Sequence, residues 1–471
     1  MDQIRFLLPE IVLILMSFAL LFNSIIDQKD KRITNKILLI IGSIVSISLL
    51  LTANPEGLYL NNTFENNSLT GKIKVLLVSG TLLSLLLVSN SKTKQFKEFF
   101  NEYCFLLVLS LVGGMIVVSS REFLTLIIAF EILSIPIYLI SAMGPDSSKS
   151  IEAATKLFFF GTLSTVFMIF SAVLFYSLSG STYFVDILWE SKDVIVILST
   201  IFILITICFK CALYPLHFWV SDTYESAPMN ILPFLSTIPK IAIIGFLFFF
   251  FQNLYSAQVN FQVINIISIL ITVSIIFGSV LSIKQDKLFR LLAYSGIPHA
   301  GIMLIFVIIP LPITSEFLVL YFAFYIFSNV GLFICLNSLP KVDKDFLVND
   351  LKGLYKSSPF ISITLTSFLL SLAGVPLFAG FWGKFNVAII SFKSFGFFLP
   401  VVILISAGIS FYYYIRIIKA IFDDKAINQT LDFKTNTINK ILILICLGLT
   451  IALGLNPNLL SAGVYSFILT D

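Results

Sequence analysis

What most constrains this chain is the repetition of apolar stretches about as long as a bilayer is thick. A helix needs about 20 apolar residues to cross the hydrocarbon. Such stretches lie at 4–26, 37–53, 73–89, 102–118, 122–143, 155–178, 194–217, 231–252, 260–283, 288–309, 316–337, 360–392, 397–421 and 440–462 of the 471 residues, so 14 spans are expected. They are too long for barrel strands of about 10 residues, and lipid leaves only helices and closed barrels as spanning structures. The expected fold is therefore an all-α polytopic membrane protein. Composition agrees: 12% of residues are charged and 58% hydrophobic, whereas a soluble domain carries about 25% charged residues. A water-soluble globule and a disordered chain are both excluded. The first stretch lacks a small-residue cleavage site and reads as an anchor. The longest connections, 54–72 and 338–359, are polar and read as solvated loops without a soluble domain.

Basic residues test the count. With 14 spans, alternate connections share a side, and 20 of the 30 Lys and Arg fall on the side opposite the termini. Six (Arg5, Lys72, Lys74, Arg121, Lys192 and Lys393) fall on the terminal side, and Lys156, Lys210, Lys240 and Lys384 lie in or beside spans. By the positive-inside rule this places both termini outside, in the periplasm or intermembrane space. The net charge of +4 is too weak to suggest nucleic acid.

A charge at the bilayer centre costs about 2.5–3.5 kcal/mol on insertion scales, so each exception needs a reason. Glu131, Lys210, Lys240 and Lys384 sit within apolar runs, as does His299 in Ile297-Pro298-His299-Ala300-Gly301. Lys156 has Glu152 one turn earlier and is equally well explained as a lysine snorkelling from a helix end. His299 reads equally as a satisfied core histidine or as a proton carrier, and Glu131 also fits a static ion pair. Together these groups suggest a hydrated proton path, because desolvation disfavours a charged ammonium and lets it exchange its proton. Glu131 is the expected counter-charge of Lys210.

Broken helices point the same way. Pro215 follows Lys210 by five residues, Pro233 and Pro239 precede Lys240, and Gly374, Pro376, Gly380 and Gly383 precede Lys384. Such interruptions occur where freed backbone groups face protein or water. Lys210 on span 7 and Lys384 on span 12 are five spans apart, as two inverted five-helix repeats over spans 4–8 and 9–13 require. The expected divisions are residues 1–101 (spans 1–3), 102–252 and 253–421 (the repeats), and 422–471 (the last span). No nucleotide-binding loop is present. The five cysteines are scattered through apolar runs, and Cys208-x-x-Cys211 lacks a second ligand pair for a metal or cluster. No cofactor is expected in this chain.

Several runs resemble a known family. Phe209-Lys210-x4-Pro215-x-His217-x-Trp219-x2-Asp222-x-Tyr224-Glu225-x-Ala227-Pro228, followed by Lys240, resembles the signature of the antiporter-like proton-pumping membrane subunits of respiratory NADH:quinone oxidoreductase (complex I). Leu291-Leu292-Ala293-Tyr294-Ser295-x2-Pro298-His299-x-Gly301 resembles a second motif, and Ala373-Gly374-x-Pro376-x3-Gly380-Phe381-x2-Lys384-Phe385 a third. Together they cover about residues 120–390. Ser221 replaces a usual proline, Ser226 a usual glycine, and Gly296 and Pro298 alter the histidine motif. Ending soon after the last span, carrying Lys384 where one member has Glu, and the Phe411-Tyr412-Tyr413-Tyr414-x-Arg416 run single out one member of the family.

The resemblance implies roles. Glu131 and Lys210 would form an ion pair modulated during the pump cycle, Lys240 would be the central proton carrier, His299 a relay, and Lys384 a group near the exit. Lys156 matches a further family lysine. The resemblance implies proton translocation coupled to NADH-to-quinone electron transfer. NADH, FMN, iron–sulfur and quinone sites would lie on other subunits. The implied partners are other membrane-arm subunits, including neighbouring antiporter-like ones, and membrane lipids. The rival readings are a subunit of a multi-subunit sodium-exchanging cation/proton antiporter and a non-pumping structural membrane subunit. The Phe, Ile, Asn and Lys bias favours an organellar gene and the mitochondrial inner membrane, with a bacterial plasma membrane as the alternative.

Overall fold

The computed structural model describes residues 5–26, 32–52, 56–89, 99–144, 147–187, 194–256, 261–309, 313–339, 346–423 and 436–460. In chain order the helices are α1 (Leu8–Ile26), α2 (Arg32–Thr52), α3 (Ser68–Ser89), α4 (Phe100–Ser119), α5 (Phe123–Ala142), α6 (Ser147–Ser179), α7 (Val194–Lys210) and α8 (Phe218–Ser226). They continue as α9 (Leu232–Ser256), α10 (Phe261–Ile283), α11 (Leu288–Ile305), α12 (Thr314–Asn337), the short α13 (Leu354–Ser357), α14 (Pro359–Ala373), α15 (Ala379–Phe395), α16 (Phe398–Phe422) and α17 (Thr437–Leu455). Every apolar stretch read from the sequence falls on one of these helices, and one of them, 360–392, falls on a pair, α14 and α15. The protein is a multi-pass, all-α membrane protein.

The two interruptions follow from local chemistry. After α7 the backbone turns at Ala212, with φ +56°, and passes a cis Tyr214–Pro215 bond before α8 begins. Proline cannot continue a helix. After α14, Gly374 adopts φ +91°, a left-handed cap that a side chain would strain. Pro376 and Leu377 (φ +95°) complete the break before α15. Pro136, Pro239 and Pro298 are instead absorbed inside α5, α9 and α11.

The chain divides into two compact units, residues 1–212 with 226–267, and residues 213–225 with 268–471. These units are defined by compactness, and they cut the chain differently from the repeats expected over spans 4–8 and 9–13. In the first, α4 packs on α1, α3, α5 and α9, and α6 packs on α5 and α7. Gly113 lets α4 approach the backbone of α5 at Ile132 and Leu133, where a Cβ would collide. In the second, α12 packs on α14, α15 and α17, and α15 also touches α11, α16 and α17. α9, α11 and α12 are almost wholly buried, whereas α6 exposes Phe158, Phe159, Leu163, Phe170 and Val173. That contrast separates enclosed helices from those whose outer faces meet lipid or other proteins.

Two expectations are corrected. Within the 54–72 connection, residues 57–66 form a β-hairpin, with β1 (Gly57–Tyr59) antiparallel to β2 (Phe64–Asn66). Tyr59 stacks across it on Phe64 and also on Phe6, supplying the cross-strand contact such a pair needs. Lys74, counted above among the basic residues of the terminal side, lies inside α3 and is completely buried. α3 begins a turn earlier than read, at Ser68, which carries Lys74 inward to Glu10 of α1 at 2.7 Å. Ten basic residues used in the orientation (Lys29, Lys31, Lys92, Lys94, Lys97, Lys192, Lys341, Lys344, Lys425 and Lys434) lie outside the described residues.

Candidate functional site

In the first unit the expected partners Glu131 and Lys210 come together. Lys210 is in the last turn of α7, where unpaired carbonyls favour a cation. Its Nζ lies 3.8 Å from Glu131 Oε1 and donates to Ser134 Oγ at 2.8 Å and Tyr138 OH at 3.2 Å. Glu131, Ser134 and Tyr138 are spaced i, i+3 and i+7 on α5, so one face of that helix presents all three acceptors. Thr165 of α6 donates to the same Glu131 oxygen at 2.6 Å. Gly161, one turn before Thr165, leaves room for the Tyr138 hydroxyl, since any Cβ there would collide with it. The lysine side chain is 5% exposed and the glutamate 28%, so one side of the pair is enclosed and the other open.

Lys240 is buried in α9 directly after Pro239, within electrostatic range of the Cys211 thiol. Lys156 is different. Its side chain is 41% exposed on α6 and pairs with Glu152 at 2.7 Å, the helical neighbour four residues earlier.

In the second unit Lys384 reaches back across the break. Its Nζ donates to the Ala373 carbonyl at 2.9 Å and to Ser410 Oγ at 3.2 Å. Ala373 ends α14, so the ammonium caps the negative end of a half-helix whose carbonyl has no intrahelical partner. Gly380 allows this return, because a Cβ would strike the Ser371 carbonyl. From the other side Trp382 Nε1 donates to the Gly454 carbonyl of α17 at 2.8 Å. Lys210 and Lys384 thus both sit at half-helix C-termini, the chemistry by which broken helices hold cations.

His299 is buried on α11 and its Nδ1 shares a hydrogen bond of 2.9 Å with Tyr321 OH of α12. Tyr413 and Tyr414 of α16 are buried side by side, with ring centroids 4.5 Å apart, one turn beyond Ser410. Nearby, Glu225 of α8 pairs with Lys287 at 2.6 Å and with Arg290, while Arg290 also meets Asp222 at 3.0 Å. Ser221, the residue standing where proline is usual, accepts from Tyr294 OH at 3.3 Å. Arg416 donates to the carbonyls of Ile283 and Gln285 at the end of α10.

Ser134, Tyr138, Thr165, Tyr321 and Ser410 were not foreseen. The i+3 and i+7 spacing from Glu131 could have found the first two. The others come from helices distant in sequence and left no local signal. The buried Lys74–Glu10 pair was also missed. Asn66 Oδ1 accepts from Lys74 at 2.9 Å, and Glu10 Oε2 is buried with no hydrogen-bond partner among the described residues.

The comparisons agree with this architecture. The signature described as NADH:quinone oxidoreductase/Mrp antiporter, transmembrane, matches residues 120–410. The NADH-quinone oxidoreductase subunit N of Pelagibacter ubique is 32% identical over 433 residues, covering 90% of this chain and 91% of that one. A chain of respiratory complex I from Thermus thermophilus, solved with bound aureothin, superposes with a TM-score of 0.83 at 24% identity, covering 97% of this chain and 99% of that one. A chain of the Mrp complex from Dietzia sp. superposes at 0.79 with 14% identity, covering 98% of each. The chain therefore belongs to the NADH:quinone oxidoreductase/Mrp antiporter transmembrane family, beside the relatives named NADH-quinone oxidoreductase subunit N.

Proposed function

We propose that this chain is a proton-translocating membrane-arm subunit of an NADH:quinone oxidoreductase, working beside other membrane-arm subunits, some of them antiporter-like. Its enzymatic role is that of a subunit: NADH, FMN, iron–sulfur and quinone sites lie on other chains, and this one carries protons only. The observation that carries the reading is the Lys210–Glu131 pair, a buried ammonium held at 3.8 Å from a carboxylate and cushioned by two hydroxyls. The hydroxyls keep Lys210 solvated when the carboxylate withdraws, so the pair can open without stranding a bare charge.

Quinone reduction elsewhere in the complex shifts this pair between close and separated states. Separation removes the carboxylate that holds the ammonium and releases a proton toward Lys240. His299 relays it, and Lys384 passes it outward. Lys156, exposed and locally paired, acts at the periphery of this path. This reading includes two inverted repeats over spans 4–8 and 9–13, supported by the five-span separation of Lys210 and Lys384.

The relative from Pelagibacter ubique is bacterial, which favours the plasma membrane over the mitochondrial inner membrane suggested by residue bias. The excess of basic residues in alternate connections supports termini on the outer side.

Purification of the tagged chain from its native membranes tests the reading. The expected result is co-isolation with NADH:quinone oxidoreductase activity and NADH-driven acidification of inverted vesicles. Isolation in an assembly that exchanges sodium for protons and lacks NADH oxidation would refute it.

A further inference from the structure

His299 on α11 and Lys384 on α15 are successive stations of the proposed path, and both belong to the second unit. His299 Nδ1 ends on the Tyr321 hydroxyl at 2.9 Å, and Lys384 Nζ ends on Ser410 Oγ at 3.2 Å. Buried phenols lie between those two hydroxyls. Gly383 lets α15 lie against the rings of Phe324 and Tyr321, where a Cβ would collide with the first and crowd the second. Tyr414 lies one turn along α16 from Ser410, on the same face of that helix. Its hydroxyl is within electrostatic range of Tyr321. The order of groups is therefore His299, Tyr321, Tyr414, Ser410, Lys384.

The phenols are held in an unusual way. The Tyr414 hydroxyl is buried and has no hydrogen-bond partner among the described residues, and the same is true of Tyr413 beside it. An unpaired hydroxyl in the interior costs about 1–3 kcal/mol. Phenylalanine would fill the same space without that cost, and with 49 Phe against 16 Tyr the chain uses it freely. The Tyr414 hydroxyl faces Ser295 of α11, and that of Tyr413 faces Ser282 of α10, without either meeting as a hydrogen bond. A hydroxyl is both donor and acceptor, and one with no fixed partner is free to turn. Tyr321, Tyr413 and Tyr414 are at most 1% exposed, so side-chain hydroxyls and not bulk water supply the links here.

We infer that Tyr321 and Tyr414 are the proton carriers between His299 and Lys384, which rests on the proton-path reading of this chain. The transfer balances. The Nδ1–H bond of protonated His299 breaks as its proton joins the Tyr321 oxygen. Tyr321 gives its own proton to the Tyr414 oxygen, and Tyr414 gives its proton to Ser410. Ser410 turns its hydroxyl from the Ala407 carbonyl, to which it donates at 2.8 Å, and protonates the neutral amine of Lys384. As an amine, Lys384 keeps an N–H for the Ala373 carbonyl and offers its lone pair to Ser410. Each oxygen gains one proton and loses one, so the net change is one N–H bond broken at His299 and one formed at Lys384. The hydroxyls then rotate back.

Tyr414→Phe tests this with the least disturbance, because the hydroxyl it removes makes no hydrogen bond. Protons per NADH are measured in vesicles carrying the native complex, beside the Tm of the same preparation. Tm is expected at or above the native value, while the proton ratio falls to that of Lys240→Ala. Tyr321→Phe should fall to the same ratio. The double variant should fall no further, since links in series fail only once. A native ratio in Tyr414→Phe would overturn the inference, as would additive losses in the double variant. A ratio that falls only together with Tm would mark the hydroxyl as structural and overturn it as well. In each of these cases a lowered ratio in Lys240→Ala leaves the proton path itself standing, whereas a native ratio in Lys240→Ala would sink both.

Discussion

Replacing Glu131 by Gln isolates the charge of the Glu131–Lys210 pair from its shape. At 3.8 Å and an effective dielectric of about 20, the Coulomb attraction is about 4 kcal/mol. The glutamate side chain is 28% exposed, so solvent screening leaves roughly half, about 2 kcal/mol. In a two-state equilibrium between paired and separated lysine, that shifts the ratio about thirtyfold. Gln retains an acceptor for the Thr165 hydroxyl, and Lys210 retains Ser134 and Tyr138, so Glu131→Gln is expected to assemble. Inverted vesicles, with pH-dye acidification normalised to NADH oxidation, should then show fewer protons per NADH at native complex content. A native ratio in Glu131→Gln would refute this reasoning. Full pumping in the charge-swapped double variant, Glu131→Lys with Lys210→Glu, would also refute it, because a static pair tolerates exchange and a directional one does not.

Other perturbations address the surroundings. Lys74→Met strands Glu10 without its cation in a buried site and should destabilise by about 3–5 kcal/mol, read as lowered Tm; adding Glu10→Leu should recover most of the loss. Gly161→Ala drives a Cβ into the Tyr138 hydroxyl, costing about 1–3 kcal/mol and pulling that hydroxyl from Lys210, so Tm and protons per NADH should fall together. Burial would raise the Glu65 carboxyl, but the Arg121 charge and hydrogen bond outweigh it and hold the carboxyl below its ordinary value of 4.5. A depressed carboxyl contributes stability that is complete above the ordinary value and lost as pH falls through the depressed one. Protection of the Arg121 amide, which donates to Thr63, should therefore hold from neutrality to about pH 4.5 and fall only below it, after correction for intrinsic exchange.

Much of this structure was legible because lipid removes choices. Where water cannot satisfy the backbone, a stretch of about 20 apolar residues has one regular form, and all fourteen stretches fall on helices. The breaks were legible from Pro215, Gly374 and Pro376, whose backbone limits do not depend on context. The Glu131–Lys210 contact followed from a sign argument: a buried carboxylate and a buried ammonium each lower the other's cost. Lys74 shows where this reasoning stops. It stands two residues after Lys72 near a span boundary, and only the earlier start of α3 and the position of Glu10 on α1 reveal it as buried. Tyr321 and Ser410 were invisible for a related reason, since a hydroxyl among apolar residues carries no signal until the fold sets it beside His299 or Lys384.

The central claim is that protons move through the buried lysines of this chain. The most direct measurement is the number of protons translocated per NADH by a complex carrying Lys240→Ala, with assembly checked on native gels. Lys240 is buried at the middle of the proposed path, and alanine leaves no group there to hold a proton. NADH oxidation in the presence of uncoupler is expected to persist while the proton ratio falls. A fully assembled Lys240→Ala complex that keeps the native ratio would contradict the account.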